Sequence, residues 1–107
     1  PVSSCTTLAL EAEGKAVETI EGLSKNGALH PIQQAFVERA AVQCGFCTPG
    51  MILSTKALLA ENANPTREDI VAFLGGNICR CTGYFNIVAA VEDAARRVAA
   101  EPEGGAG

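Results

Sequence analysis

Two different spacings of apolar residues divide the chain. Residues 15–20 alternate polar and apolar side chains, which is the period of a short β-strand, and Glu13-Gly14 before them is typical of a turn. The Asn-Gly step within residues 24–27 predicts a linker. From residue 30 onward, apolar positions recur at helical spacing instead. The pattern therefore predicts a short strand followed by a helical region.

Turn and capping residues divide the helical region into four predicted helices. Pro31 suits the first turn of the first helix, where its missing N–H costs no hydrogen bond. Thr66 followed three residues later by Asp69 predicts an N-cap with a capping box for the third helix, and Gly75-Gly76 predicts where that helix ends. The predicted helices cover residues 31–42, 49–62, 66–75 and 83–99.

The order helix, cysteine pair, helix occurs twice along the chain. In each half, a pair of cysteines and a directly following threonine separate the two helices. These residues are Cys44, Cys47 and Thr48 in the first half and Cys79, Cys81 and Thr82 in the second. The two threonines are the predicted N-caps of the helices that follow. This faint repeat predicts a mostly α fold, a four-helix bundle made of two pseudo-symmetric helical hairpins.

Composition and charge exclude several classes of protein. The 107 residues carry a net charge of −4, so neither a basic surface for nucleic acid nor a polybasic membrane patch is present. No apolar run reaches the length of about 18 residues that a membrane span needs. Because no secretory leader is predicted either, the chain is expected to be cytoplasmic, with neither nucleic acid nor membrane as a partner.

The cysteines indicate metal or redox chemistry. There are five, an odd number that does not suit the disulfide framework of a secreted domain. Two residues separate Cys44 from Cys47 and one separates Cys79 from Cys81, so the thiolates of each pair can face one point. Both pairs directly precede a predicted helix, whose free N–H groups and dipole favour thiolates and an anionic cluster.

Cysteine spacing alone leaves several kinds of site open. Close cysteine pairs are most often structural zinc sites, less often iron–sulfur clusters, and otherwise disulfides. The single residue between Cys79 and Cys81 weakens the zinc interpretation, because zinc sites usually leave two or more residues between paired cysteines. A dithiol redox enzyme using Cys44 and Cys47 is disfavoured, since the strands of a thioredoxin-like unit are missing. A zinc-stabilised interaction module is the main alternative to a cluster.

The residues around the cysteines are more specific than their spacing. Residues 43–50, QCGFCTPG, and residues 76–84, GNICRCTGY, resemble the two signature stretches of the iron–sulfur subunit in the molybdenum hydroxylase family. Residues 65–70 and 86–88 are also similar to that family. Its members include xanthine dehydrogenase, aldehyde oxidoreductase and aerobic carbon monoxide dehydrogenase. The resemblance covers nearly the whole chain apart from its tail.

This resemblance implies a four-helix domain whose 2Fe–2S cluster is held by Cys44, Cys47, Cys79 and Cys81. It also implies that Gln43 and the Cys81 region lie against the molybdopterin of a separate molybdenum-binding large subunit. Electrons would pass from molybdenum through this cluster to a second cluster, and then to FAD on an FAD-binding subunit. The implied function is electron transfer within a molybdenum-cofactor oxidoreductase, and no residue of this chain is expected to act on the substrate as acid, base or nucleophile.

The start of the chain departs from the family pattern. Cys5, within residues 2–6, resembles the fourth ligand of a plant-type ferredoxin cluster, but the other three cysteines of that cluster are absent. The chain is therefore expected to be truncated or a fragment, and Cys5, by resemblance the ligand of a second cluster, to be a free thiol here. Residues 1–27 are expected to be a remnant of the β-rich ferredoxin-like domain with its linker, 28–100 the 2Fe–2S domain, and 101–107 a disordered tail.

Four other side chains have more than one interpretation. His30, the single histidine, is expected at a helix entry or on the surface rather than as a ligand. Arg80, between two cysteines, either offsets cluster charge or is solvated. Tyr84 and Phe85 either shield the cluster or pack in the core.

Overall fold

The computed structural model of the chain describes residues 1–100, and the predicted tail, 101–107, lies outside the described residues. The first part of the chain forms short 3₁₀ turns, at Ser4–Thr6, Ala9–Ala12 and Ile20–Gly22. The strand predicted over 15–20 is not formed, and the described residues contain only one isolated bridge, between Lys25 and Ala28. An alternating pattern makes a stable strand only when neighbouring strands supply hydrogen-bond partners.

The first helix, α1, covers Pro31–Glu38. His30 is its N-cap, as its expected place at a helix entry implies, and the His30 Nδ1 accepts a hydrogen bond of 3.1 Å from the amide of Ile32. The predicted end at residue 42 was wrong, because Ala40 adopts a left-handed backbone with φ of 53°. The amide of Ala40 then bonds the carbonyl of Val37, and the amide of Ala41 bonds that of Phe36, which is a Schellman ending.

The other three helices begin and end close to the predicted residues. They are α2 (Thr48–Glu61), α3 (Arg67–Leu74) and α4 (Phe85–Ala100). The capping box predicted for α3 is confirmed. The Thr66 hydroxyl accepts from the amide of Asp69 at 3.1 Å, and the Asp69 carboxylate accepts from the amide of Thr66 at 3.0 Å.

The four helices pack as a ring around one core. The most extensive packing is between α1 and α4, while α2 packs on α3, and contacts of α1 with α2 and of α3 with α4 close the ring. A short helix, a cysteine loop and a long helix occur twice, as two related hairpins require. The predicted four-helix, mostly α fold is thus confirmed. All four helices contribute the largest fully buried side chains: Ile32, Phe36, Met51, Thr55, Ile70, Ile87 and Val91.

A buried carboxylate links α1 to α4. Asp93 on α4, whose side chain is 10% exposed, accepts hydrogen bonds from Arg39 at 3.3 Å and from Arg97 at 3.1 Å. Arg97 also pairs with Glu38 at the end of α1. Burial raises the pKa of Asp93, but the two guanidinium groups outweigh burial and hold this pKa below its ordinary value of 3.8. Asp93 is therefore charged near neutral pH and fastens the last turn of α1.

Within residues 1–100, none of the helices combines the length and the apolar character that crossing a membrane requires.

Candidate metal centre

Two loops carry the four paired cysteines, and the bundle brings them together. The first loop, residues 39–47, joins α1 to α2, and the second loop, residues 75–84, joins α3 to α4. Each loop contains a glycine with positive φ, Gly45 at 86° and Gly83 at 67°. An L side chain is strained in that conformation, so glycine permits the sharp turn that each short cysteine spacing needs.

The sulfur atoms meet in two pairs, and each pair takes one cysteine from each loop. Cys47 lies near enough to Cys79 for each thiol to shift the pKa of the other, and Cys44 lies near enough to Cys81 to raise the pKa of Cys81. Cys79 is buried and Cys47 half-buried, whereas Cys44 and Cys81 are exposed. We call Cys47 and Cys79 the inner pair and Cys44 and Cys81 the outer pair. The predicted convergence of the two halves is therefore present, although spacing gave no indication of how the cysteines pair.

The cysteines are free thiols in this structure. None of the five forms a disulfide. Across residues 1–100, no three Cys, His, Asp or Glu side chains gather as the ligands of one metal ion. The four paired cysteines thus form two neighbouring pairs, each with one member from each loop. Cys5 lies exposed in the turn Ser4–Thr6 and belongs to neither pair.

Hydrogen bonds shift the protonation of the cysteines unequally. The Thr82 hydroxyl, the Thr82 amide and then Cys47 lower the pKa of Cys79 to about 7. Burial, followed by the hydrogen bond with Cys79, raises the pKa of Cys47. Contact with Cys44 raises the pKa of Cys81. Because thiolates rather than thiols bind metals, the inner pair offers its first anionic ligand, Cys79, close to neutral pH.

The first loop turns directly into α2. The amide of Phe46 points at the sulfur of Cys44, at 3.5 Å. The carbonyl of Cys47 accepts the first bond of the helix, from Met51 at 3.1 Å. Cys47 is therefore the N-cap, and the expectation that Thr48 would cap α2 was wrong, since Thr48 is already the first helical residue. One ligand candidate thus sits at a helix N-terminus, where an anion is favoured.

Tyr84 organises the second loop. Its backbone is left-handed, with φ of 72°, which is costly for an aromatic residue. Its phenol oxygen accepts from the amide of Cys79 at 2.8 Å and donates to the carbonyl of Asn77 at 3.4 Å. Sequence reasoning missed this contact, because it assigned Tyr84 only to shielding or to core packing. The phenol instead fixes the backbone of a cysteine.

Thr82 was the predicted N-cap of α4, and that prediction was wrong. The carbonyl of Tyr84 accepts the first helical bond, from Val88 at 2.9 Å. The Thr82 hydroxyl instead accepts from the amide of Tyr84 at 3.1 Å and lies 3.2 Å from the sulfur of Cys79. Thr82 therefore serves the cysteine loop rather than the helix.

A side-chain contact fixes the second loop to α2. The Asn77 amide nitrogen donates to the hydroxyl of the buried Ser54 at 2.8 Å. Gly50 on α2 makes room for Asn77, because a Cβ at that position would stand 3.0 Å from the Asn77 side-chain oxygen. The two halves of the bundle are thus held in register close to the sulfur pairs.

Exposed apolar side chains lie in and beside the two loops. Phe46 is 93% exposed, Ile78 80% and Phe85 73%. We call these three residues the apolar rim. Phe85 therefore does not fill the core, which was one of its two expected roles, and shielding of a cluster stays a prediction. Gln43, beside Cys44, is exposed as well.

Comparison with known proteins agrees with this geometry. Residues 19–92 match the model of the [2Fe-2S] binding domain family. The chain belongs to this family. The match includes the four paired cysteines and leaves out Cys5. The resemblance drawn from the two cysteine stretches is therefore confirmed, and the zinc-stabilised module has no support.

Similar proteins are subunits of larger enzymes. The chain is 50% identical over 99 residues to the nicotinate dehydrogenase small FeS subunit of Eubacterium barkeri, covering 92% of this chain and 63% of that protein. It is 50% identical over 94 residues to the xanthine dehydrogenase iron–sulfur-binding subunit of Escherichia coli O157:H7, covering 86% of this chain and 59% of that one. The chain thus spans roughly three fifths of these relatives.

A solved structure shares the fold. Quinoline 2-oxidoreductase from Pseudomonas putida 86 superimposes with a TM-score of 0.89 at 45% identity, covering 96% of this chain and 64% of that chain. The likeness therefore extends over nearly all of the sequence.

Proposed function

We propose that this chain holds a 2Fe–2S cluster on Cys44, Cys47, Cys79 and Cys81 and transfers electrons within a molybdenum-dependent oxidoreductase. The observation that carries the proposal is the meeting of the sulfurs in two pairs. A binuclear cluster with four cysteine ligands places two thiolates on each iron. Two neighbouring pairs therefore suit such a cluster, which the four cysteines together would hold.

The residues around the pairs suit an electron carrier. When bound, a cluster of this kind takes up and releases one electron at a time. The chain surrounds the inner pair with the bundle and leaves the outer pair at the surface, so one side of the site is protected and the other is open to a partner. The amide of Phe46 and the hydroxyl of Thr82 face sulfur atoms, where hydrogen bonds set the reduction potential.

The partner we propose is a molybdenum-binding large subunit. Similar proteins are named as small subunits, which supports an assembly with a larger chain. The apolar rim supports a docking face beside the outer pair, because exposed aromatic side chains are typical of interfaces. In this proposal Gln43 and Cys81, which are both exposed, lie against the molybdopterin.

Electrons would leave this chain toward a second cluster and then FAD on a further subunit. We propose that Cys5 is a ligand of that second cluster, with its other ligands outside this sequence. Residues 1–27 would belong to the β-rich ferredoxin-like domain that holds it, and 28–100 would form the 2Fe–2S domain proper. The exposed apolar side chains of Val2, Leu10 and Val17 support this proposal, since a neighbouring core would cover them.

Metal and sulfide analysis tests the cluster. The 107-residue chain should contain about two irons and two acid-labile sulfides, as the cluster formula requires. Cys79→Ser should lose the colour and most of the iron, because it removes the buried ligand. The matched control is Cys5→Ser, which changes an exposed cysteine outside both pairs and should leave iron and sulfide unchanged.

Other outcomes would reject the proposal. Zinc without sulfide in the wild-type chain would favour an interaction module. A reversible Cys44–Cys47 disulfide without any metal would favour a dithiol enzyme. An unaltered visible spectrum in Cys79→Ser would exclude that residue as a ligand.

A further inference from the structure

One hydroxyl group stands between a cysteine sulfur and a backbone amide in the second loop. The Thr82 oxygen is 3.2 Å from the sulfur of Cys79, and it accepts a hydrogen bond from the amide of Tyr84 at 3.1 Å. A hydroxyl has one hydrogen and two lone pairs. The Tyr84 amide takes up one lone pair and does not compete for the hydroxyl hydrogen, which stays available to the sulfur.

The backbone amide and the phenol of Tyr84 both help to fix the position of the Thr82 hydroxyl relative to the sulfur of Cys79. Its amide fixes the Thr82 oxygen, while its phenol accepts from the amide of Cys79 at 2.8 Å. The left-handed backbone of Tyr84, at φ of 72°, allows one residue to reach both groups. A strained conformation of this kind persists only where the surroundings enforce it, and here both ends are bonded. The distance between the hydroxyl and the sulfur is thus set by the loop and not by a freely rotating side chain.

The direction of this bond follows from the state of a metal-bound cysteine. Such a cysteine is a thiolate, which accepts hydrogen bonds and has no hydrogen to donate. The Thr82 hydroxyl, 3.2 Å from the sulfur of Cys79, would then be the donor. In the first loop, the backbone amide of Phe46 lies 3.5 Å from the sulfur of Cys44.

We propose that Thr82 is a positioning residue that raises the reduction potential of the cluster by donating its hydroxyl hydrogen to the sulfur of Cys79. The inference rests on the proposed 2Fe–2S function. Reduction adds negative charge to the cluster and its sulfurs, so a hydrogen bond to a ligand sulfur stabilises the reduced form more than the oxidised form. Removing the hydroxyl therefore favours the oxidised state.

The test replaces the hydroxyl with a methyl group of similar size. Thr82→Val, prepared in the intact natural protein loaded with its cluster, should keep the iron and sulfide content of the wild type. A redox titration followed by electron paramagnetic resonance should show that the equilibrium constant for reduction falls about tenfold. For one electron, this corresponds to a reduction potential about 59 mV more negative than that of the wild type. Thr82→Ser, which keeps the hydroxyl, should restore the wild-type potential.

A second variant covers the case in which valine disturbs loading. Thr82→Ala also removes the hydroxyl but places no methyl group against the sulfur, and it should show the same shift. The resonance of this cluster is identified as the signal that Cys79→Ala removes.

Several outcomes would overturn the inference. One is an unchanged reduction potential in Thr82→Val that contains the full amount of cluster. Another is a shift of the reduction potential in Thr82→Ser as large as that in Thr82→Val. Loss of the cluster from both Thr82→Val and Thr82→Ala, with Thr82→Ser intact, would assign Thr82 a structural role only. A wild-type protein without iron and sulfide would instead reject the 2Fe–2S function itself.

Discussion

Replacing Asp93 with asparagine should destabilise the bundle, because the change removes a charge and leaves the shape. The Asp93 side chain is 10% exposed and lies within 4 Å of three guanidinium groups. Those of Arg39 and Arg96 are 48% and 65% exposed, so solvent screens them and their pairs contribute little. Arg97 is 29% exposed and bonds at 3.1 Å, so most of the effect comes from this bond. Hydrogen bonds to charged groups contribute roughly 1.5–3 kcal/mol, and we expect a loss of about 2 kcal/mol.

Urea unfolding followed by circular dichroism measures the loss. With a slope of about 2 kcal/mol per molar urea, the midpoint of Asp93→Asn should fall by about 1 M while the slope stays the same. The matched control is Glu92→Gln, one residue earlier on α4, whose partner Arg67 is 55% exposed. That control should cost no more than about 0.5 kcal/mol. Equal midpoints for Asp93→Asn and the wild type, or an equal loss in both variants, would refute the reasoning.

Three further predictions concern pH, backbone strain and docking. Folding lowers the pKa of Asp93, so the charged carboxylate stabilises the fold fully at pH above its ordinary pKa of 3.8 and loses this effect as pH falls through the lower folded pKa. In urea titrations, the difference in free energy of unfolding between wild type and Asp93→Asn should therefore shrink below about pH 4. Ala40→Gly should raise the melting temperature, because the positive φ at this position costs an alanine about 1 kcal/mol and a glycine much less. The control Ala72→Gly, inside α3, should lower the melting temperature, because glycine is a poor helix former. Phe46→Ser should weaken pull-down of the large subunit by about tenfold or more at unchanged iron content, whereas Val71→Ser on α3 should not; equal binding by both variants would argue against the apolar rim as the docking face.

The ends of helices could be predicted from the sequence where a particular residue type determines the local backbone conformation. The cap of α3 followed from Thr66 and Asp69, whose side chains bond the backbone three residues away. The end of α1 did not, because Ala40 occupies a left-handed position that normally indicates glycine. An alanine carries no stop signal, and the tertiary contact of Arg39 with Asp93 helps to hold this turn. Tertiary structure thus overrode helix propensity at this position.

The candidate site was predictable as a set of residues but not as an arrangement. The paired cysteines and their glycines are visible in the sequence, since short spacings before helices need them. Which sulfur meets which depends on how the two hairpins pack, and spacing within a loop contains no information on that. The role of Tyr84 depends in the same way on a backbone angle that no sequence pattern signals for a tyrosine. The strand predicted over 15–20 failed because its partners are not among the described residues.

The crossed pairing of the sulfurs has a consequence for protein turnover. Cys47 and Cys79 are neighbours although 31 residues lie between them in the sequence. A metal bound by both residues would therefore cross-link the two hairpins. Closing a loop of this length lowers the entropy of the unfolded chain by an amount worth about 3–4 kcal/mol. A chain without the metal should then open more often, and a protease should digest it sooner than the loaded chain.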